Sequence, residues 1–342
     1  MKKGIRKWVE RWYSPKVLVL MYHRVTDRKS DIWDLCVSPV NFENHIITLK
    51  KKFRILSEDE LIAGISNRNL PRKSVVITFD DGYYDNYHYA YPILEKYDAP
   101  AIFFIPSYYI INRERYWWDL LEEAIVFSKE LPSRFLLQIA DETVDVYLNE
   151  ESTMSSAISE KHKNWKAFEL PPPTRRASLY LKLWNILHKL THSEQQMYLQ
   201  LILSIAGLKR EELSIETEMC MGQSELEKLV RNPLFTLGGH SYTHMALKYH
   251  PKVLQKKEIK NNKDDLDLIS RFPIRSFAYP HGLYNDETIR ILQETGYQIA
   301  FTVKQKPVSK SNVPFELGRF QVKNFECKKL EKHILQWENC LV

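Results

Sequence analysis

At 342 residues, with 44% hydrophobic and 27% charged side chains, the chain has the balance of a soluble globular protein holding one large α/β domain or two smaller ones. A formal charge of +6, spread along the chain without a basic stripe, excludes nucleic acid as the expected partner. The cysteines Cys36, Cys220, Cys327 and Cys340 are far apart with no Cys-x-x-Cys, which excludes a disulfide framework and a thiolate metal site and fits a reducing compartment.

Residues 1–16 form a basic segment. Ile5, Trp8, Val9 and Trp12 recur at helical spacing opposite Lys2, Lys3, Arg6, Lys7 and Arg11. Such a helix can pack on its own domain or dock peripherally on a membrane surface. No apolar run follows it as in a secretory signal, and no stretch approaches the roughly 20 apolar residues of a transmembrane helix. The expected location is cytoplasmic, with peripheral contact at the inner membrane face.

Val17–Tyr22 is a continuous apolar run and reads as a buried strand ending in His23. Ser38-Pro39 reads as an N-cap with proline at the first helical position, and Ser57–Glu60 as a capping box opening a second helix. Val75–Phe79 and Ala101–Ile105 are the next buried strands, with a helix between them. Strand–helix alternation with polar residues at strand ends predicts a parallel sheet with crossover helices, in its closed form a barrel.

The rhythm breaks after residue 119. Residues 120–221 read as a mostly helical insertion with a hairpin at 135–148, a Pro171-Pro172-Pro173 breaker and two helices beyond it. Barrel grammar resumes over 222–342. Ser224–Glu227 reads as a capping box, and Phe235–Leu237, Ile274–Tyr279, Gln298–Val303 and Phe315–Val322 read as strands. The count is about seven strands in a single barrel, built from 17–119 and 222–342.

Two constellations carry chemistry. Asp80 and Asp81 follow the Val75–Phe79 strand and precede Gly82. Two adjacent carboxylates repel, and at a barrel-strand end they need a cation or a proton. Successive strand residues point opposite ways, so the two acids should have different partners. An Asp-Gly turn is the structural alternative. In His240-Ser241-Tyr242-Thr243-His244, two imidazoles four residues apart can meet at one point, on a helical turn or in a tight loop. Two histidines and a carboxylate are a usual protein share of a catalytic zinc site.

Thr78-Phe79-Asp80-Asp81-Gly82, His240–His244 and Phe277-Ala278-Tyr279-Pro280-His281-Gly282 together resemble the leading motifs of the polysaccharide deacetylase family, the carbohydrate esterases with the NodB homology domain. Met21–Val25 and Tyr116–Asp119 resemble its bacterial glycan-biosynthesis branch. The resemblance implies a distorted (β/α)7 TIM-like barrel and metal-dependent removal of an N-acetyl or N-formyl group from an amino sugar. It assigns Asp81, His240 and His244 to a divalent cation, zinc by preference, and Asp80 to the general base. It brings Tyr279, Pro280 and His281 to the substrate, with a backbone N–H near His281 as an oxyanion donor. Trp118 and Asp119 are further candidate contacts. The implied partner is an amino-sugar glycan, a lipid-linked sugar or a nucleotide sugar.

The motifs depart from the family in two ways. Ala278 stands where many members have arginine, so Asp80 needs another cation, Arg319 or Arg275; Arg319 is favoured because a mid-strand charge needs a partner. No late Leu-x-His motif supplies the general acid. His333 falls on a C-terminal helix outside the barrel, whereas His23 ends the first strand and can protonate the leaving amine, or else be a buried structural residue. His45, His88, His162, His188, His192 and His250 read as surface residues. A rival reading, favoured by the altered third motif, is a catalytically silent barrel that binds glycan or scaffolds a synthesis complex.

Overall fold

The computed structural model describes residues 15–28, 30–213 and 218–340, so the amphipathic pattern of residues 1–14 lies outside the described residues. Strands β1 (Lys16–Tyr22), β2 (Ser74–Phe79) and β3 (Ala101–Ile105) are buried along nearly their whole length. That is why they appear as unbroken apolar runs rather than alternating ones. Helices α1 (Pro39–Lys52) and α2 (Glu58–Ser66) precede β2, and α3 (Tyr91–Lys96), entered through a π-helical turn at 86–90, precedes β3. Ser38 caps α1 through the Asn41 N–H, and Ser57 and Glu60 form the expected box on α2.

Beyond β3 the chain runs through α4 (Ser107–Asn112) and α5 (Trp117–Leu121), then leaves the main sheet. An antiparallel hairpin, β4 (Arg134–Ile139) with β5 (Glu142–Tyr147), is followed by α6 (Ser156–Lys163), α7 (Arg175–Leu187) and α8 (His192–Ile205). Arg176 is fully buried among them and donates to the carbonyls of Ser128 and Ser152 at 2.7 and 2.6 Å. The return segment then lies against the turn after β2, with the Met221 N–H on the Gly82 carbonyl and the Tyr84 N–H on the Met219 carbonyl, both at 2.9 Å.

Helix α9 (Gln223–Arg231) starts two residues earlier than the sequence suggests. Gly222 is its N-cap and the Glu225 carboxylate bonds the Gly222 N–H, so Ser224 lies inside the helix. The sheet resumes with β6 (Phe235–Gly239), and α10 (Lys252–Ser270) leads to β7 (Ser276–Ala278). Helix α11 (Asp286–Glu294), capped by Asn285, precedes β8 (Ile299–Phe301). The parallel order is β8-β7-β6-β3-β2-β1, and β9 (Phe320–Gln321) pairs with β1. The Leu317 N–H bonds the Ala300 carbonyl in β8, its carbonyl accepts from the Thr302 N–H just beyond, and the Val322 N–H reaches the Met21 carbonyl, so residues 317–322 span from the last stave to the first. This curled, barrel-like sheet is the NodB type of α/β fold.

The last stave is shorter than its alternating sequence predicts. At Gly318 the 304–306 loop crosses so closely that a Cβ would lie 2.3 Å from the Lys306 carbonyl oxygen, and the Arg319 N–H bonds that loop instead of a strand. Val308–Ser309 adds an antiparallel pair with β1 that alternation did not reveal. C-terminal helix α12 (Cys327–Glu338) packs outside the sheet and carries His333. Three histidines read as surface residues are buried instead: His45, His162 and His188. Each lies in a helix or at its end, where solvent- and core-facing positions look alike until the packing partner is known. Among the described residues no helix is long and apolar enough to cross a membrane.

Candidate functional site

The parallel register brings the C-terminal strand ends to one rim. Tyr22 pairs with Phe79, Phe79 with Phe103, Ile105 with Gly239, and Gly239 with Phe277. His23, Asp80, His240 and Tyr279 are the next residues along β1, β2, β6 and β7, so the alignment collects them at the end where parallel barrels place their chemistry. β6 must end in glycine, since a Cβ on Gly239 would lie 2.4 Å from the Tyr297 hydroxyl and 2.8 Å from the Phe277 ring.

Asp81 and the two motif histidines converge. Its Oδ1 lies 3.5 Å from His240 Nε2 and 3.2 Å from His244 Nε2, and one ligand atom from each residue falls within 4.8 Å of the others. All three residues are buried. The His240–His244 segment is a loop, with Ser241 and His244 at φ +57°, and Asp81 itself is at φ +72°. Left-handed backbone at non-glycine residues costs energy and persists where surrounding contacts impose it. Those contacts come from α10: Asn262 accepts from the His240 N–H at 2.9 Å, and Glu258 accepts from the Thr243 N–H at 2.8 Å and its hydroxyl at 2.9 Å.

The donor set fits a cation. The Ala278 carbonyl accepts from His240 Nδ1 at 2.7 Å, which orients the ring with Nε2 toward Asp81. Asp81 Oδ1 and His244 Nδ1 are buried without a hydrogen-bond partner among the described residues. Burial pushes the Asp81 carboxyl up, but its contacts with His240 and His244 outweigh this and hold it well below the usual carboxylate range. Burial lowers His244, against the pull of Asp81. Two imidazoles and a carboxylate converging in a buried site form a donor set that suits a divalent cation, which binds such ligands in their deprotonated forms.

Asp80 turns the other way. Both its oxygens meet the Arg319 guanidinium, Oδ1 with Nη1 at 2.6 Å and Oδ2 with Nη2 at 2.7 Å. Arg319 is fully buried, donates Nε to the Thr302 carbonyl and lies over the Phe104 ring. Burial raises the Asp80 carboxyl, but the charges of Arg319 and His240 prevail and keep it below its ordinary value. Arg275, the other candidate cation, pairs with Glu58 and Asp59 near α2 and not with Asp80. His23 Nε2 lies 4.0 Å from Asp80 Oδ2.

His23, Asp80, Asp81, Trp118, His240, His244, Tyr279 and His281 all line one cleft of about 630 Å³. The Tyr279 hydroxyl is already committed to the Phe315 carbonyl at 2.9 Å. His281, at φ +55°, sets its ring edge-on to His244 with centroids 4.6 Å apart, and burial beside His244 and His188 lowers it well below the ordinary histidine value. Pro280 is buried and does not line the cleft. Asp119 does not line it either. Consecutive residues of α5 diverge, so Trp118 faces the cleft while Asp119 accepts from the Tyr83 hydroxyl at 3.0 Å and approaches Arg28 at 3.7 Å.

Sequence reasoning missed several supports of the site. Asp85 accepts from the Val25 N–H and from Arg24 Nε, and Asn86 donates to the His23 carbonyl, so residues just past Asp80-Asp81 fasten the loop that carries His23. Asn262 and Glu258, four apart on one face of α10, have no local signal that sets them apart in a long charged helix. A second hollow, about 790 Å³ between α2 and the 310–314 loop, is lined by no histidine or carboxylate.

A sequence profile described as polysaccharide deacetylase matches residues 67–126 and 204–300, both sides of the insertion. Over those residues, just under half of its length, the chain matches the polysaccharide deacetylase family. The matched residues hold Asp80, Asp81, His240, His244 and His281, but not His23 or Arg319. The chain is 36% identical over 100 residues to the polysaccharide deacetylase-like protein YxkH of Bacillus subtilis, an alignment covering 29% of this chain and 34% of that protein. It is 25% identical over 126 residues to the poly-beta-1,6-N-acetyl-D-glucosamine N-deacetylase of Staphylococcus epidermidis, covering 34% of this chain and 43% of that one. The matches therefore span less than half the length of either relative. Over most of the chain the fold is similar to IcaB from Ammonifex degensii, with a TM-score of 0.57 and 17% identity, covering 95% of this chain and 98% of the other. It is also similar to the Streptococcus pyogenes deacetylase PplD, solved in complex with acetate, with a TM-score of 0.53, 19% identity and coverages of 93% and 98%.

Proposed function

We propose that the protein is a metal-dependent hydrolase that removes an N-acyl group, acetyl or formyl, from an amino sugar of a cell-surface glycan. One observation carries the reading: two adjacent carboxylates have different partners, Asp81 facing two imidazoles and Asp80 a guanidinium. In this reading Asp81, His240 and His244 hold a divalent cation, with zinc the ion that two imidazoles and a carboxylate suit best. Bound there, the cation supplies polarisation of the amide carbonyl and acidification of a water.

Asp80, kept ionised and aimed by Arg319, accepts the proton of the attacking water as the new carbon–oxygen bond forms. His23 gives a proton to the amine nitrogen as the carbon–nitrogen bond breaks. Its Nε2 stands 4.0 Å from Asp80 Oδ2, so that acid and base can reach one reacting group. The products are the free amino sugar and the carboxylic acid. Trp118 and His281 wall the cleft and orient the sugar. Arg319 takes over the office of the family arginine that Ala278 replaces, so the altered third motif no longer favours a silent barrel.

The test is acetate or formate release from N-acylated amino-sugar oligomers, with and without chelator, alongside metal analysis. Chelation should abolish release and added divalent cation should restore it. Metal-independent release, or none from any acylated amino sugar by metal-loaded protein, would overturn the reading.

A further inference from the structure

His23 is aimed through its backbone. Its Nδ1 is buried without a hydrogen-bond partner among the described residues, and its Nε2 comes no nearer to Asp80 than 4.0 Å. The ring therefore goes where its loop goes. Arg24, the next residue on an extended chain, points the other way and is fully buried behind the cleft. Its Nε donates to Asp85 Oδ2 and its Nη1 to Glu218 Oε2, both at 2.8 Å, and its guanidinium lies 4.2 Å from the centre of the Tyr83 ring. A guanidinium is tolerated at such depth only when it is paired. Asp85 also takes the Val25 N–H, and Asn86 donates to the His23 carbonyl. Tyr83, Asp85 and Asn86 belong to the turn after β2, but Glu218 belongs to the return of the insertion. A second arginine joins the same parts at longer range. Arg28 stands 3.4 Å from Glu218 and 3.7 Å from Asp119, at the insertion's entrance, so both ends of the insertion meet the chain that carries His23. Burial raises the Glu218 carboxyl, but the charges of Arg24 and Arg28 outweigh this and keep it below its ordinary value.

We infer that Glu218 and Arg24 are positioning residues for His23, and that the return of the insertion thereby completes the proton-donating half of the site. This rests on the reading above in which His23 protonates the leaving amine. Acid and base are then set by different parts of the chain: Asp80 is held within the barrel by Arg319, whereas His23 depends on a residue of the insertion. Removal of the Glu218 carboxylate frees one arm of Arg24, while Asp85 and Tyr83 still hold the other side of the guanidinium. The loop shifts without coming loose, and proton transfer falls steeply with such small displacements. A substrate whose leaving group departs without a proton is blind to that shift.

The test measures kcat and KM of wild type, Glu218→Ala and Glu218→Gln on N-acetylated amino-sugar oligomers and on 4-nitrophenyl acetate, whose carbon–oxygen bond breaks to give nitrophenolate without a proton donor. With 18% of its side chain exposed, Glu218 can be cut back with little risk to folding. Glu218→Ala should lower kcat on the amide roughly tenfold or more, with KM, metal content and ester turnover kept. Glu218→Gln, whose amide oxygen can still accept from Arg24, should recover most of the loss. Equal losses on amide and ester would mark a merely structural role and overturn the inference. So would unchanged amide turnover in Glu218→Ala where His23→Gln loses it. Histidine-ring NMR of the intact protein, with the His23 signal assigned through His23→Gln, separates this claim from the identity of the acid. A displaced His23 signal in Glu218→Ala, with those of the buried His45 and His162 in place, supports the positioning even if His23→Gln still hydrolyses the amide. An unmoved His23 signal refutes it even if His23 proves to be the acid.

Discussion

At the end of the main sheet, each reactive side chain is fixed through the backbone: strand register places His23, Asp80 and His240, left-handed turns aim Asp81 and His244, and α10 pins the histidine loop through Asn262 and Glu258. Where the insertion walls the cleft, Trp184 of α7 and Phe168 in the loop before it meet the Trp33 ring, and that loop is tied to the rim by the Lys166 and Glu169 ion pairs and by one backbone bond from Ala167 to Ile32. The first region is over-determined, as acid–base and metal chemistry demand of groups set to within fractions of an ångström. The second rests largely on side-chain contacts, which tolerate small shifts. Damage to the sheet end should therefore appear in kcat and metal content, and damage to the wall in KM and substrate preference.

The largest effect expected is from His240→Ala, which removes one ligand and leaves Asp81 buried opposite a single imidazole. Metal content of the purified variant, measured by elemental analysis, should fall to background together with acyl release. Full metal occupancy would break the assignment of the sheet end. Arg319→Met is next. It strands a fully buried carboxylate, so chemical denaturation should register a loss of about 3–5 kcal/mol. kcat should fall on the order of 10- to 100-fold, as for other partners that orient a reacting group, with metal content kept.

The sequence carried the sheet end well and the wall poorly, for a physical reason. Asp80-Asp81 and the histidine pair are expensive to bury, so their residue types reveal themselves wherever a strand is legible, and Arg319 was read from the same cost of a mid-strand charge. The wall is made of residues that also serve as ordinary core. Trp33 and Trp184 carry no local mark of facing a cleft, and His188 looked like a surface residue. Asp119 was drawn to the mouth by its neighbour Trp118, yet α5 turns it into a buried network with Tyr83 and Arg28. Long-range contacts such as Asp85 to the 23–25 loop have no local signal at all.

Acid sensitivity offers a third test, one that neither region dominates. Burial lowers His45 to about 4, whereas the unfolded chain titrates at its ordinary value near 6.5. Above that value neither state holds the proton and stability is full. As pH falls from about 6.5 toward 4 the unfolded state binds it first, and this residue alone removes on the order of 3 kcal/mol. His45→Gln, which keeps a donor for the Phe325 carbonyl, should flatten the denaturation midpoint over that range relative to wild type. An identical pH profile would contradict the burial argument. The smallest effect expected is from Tyr83→Phe. Trp118 Nε1 loses its acceptor at 3.0 Å and Asp119 its donor, for about 1–2 kcal/mol of stability. A few-fold rise in KM with kcat kept would place Trp118 on the recognition side of the comparison, whereas a fall in kcat alone would move it to the chemical side.

The central claim is that adjacent carboxylates divide the work, Asp81 holding the cation and Asp80 moving the proton. The most direct measurement is metal stoichiometry and acyl release, determined together on Asp80→Asn and Asp81→Asn beside wild type. Asp80→Asn should keep its metal and lose roughly 100- to 10,000-fold in kcat, while Asp81→Asn should lose the metal itself. Equal metal content in the two variants, or turnover preserved in Asp80→Asn, would contradict the account.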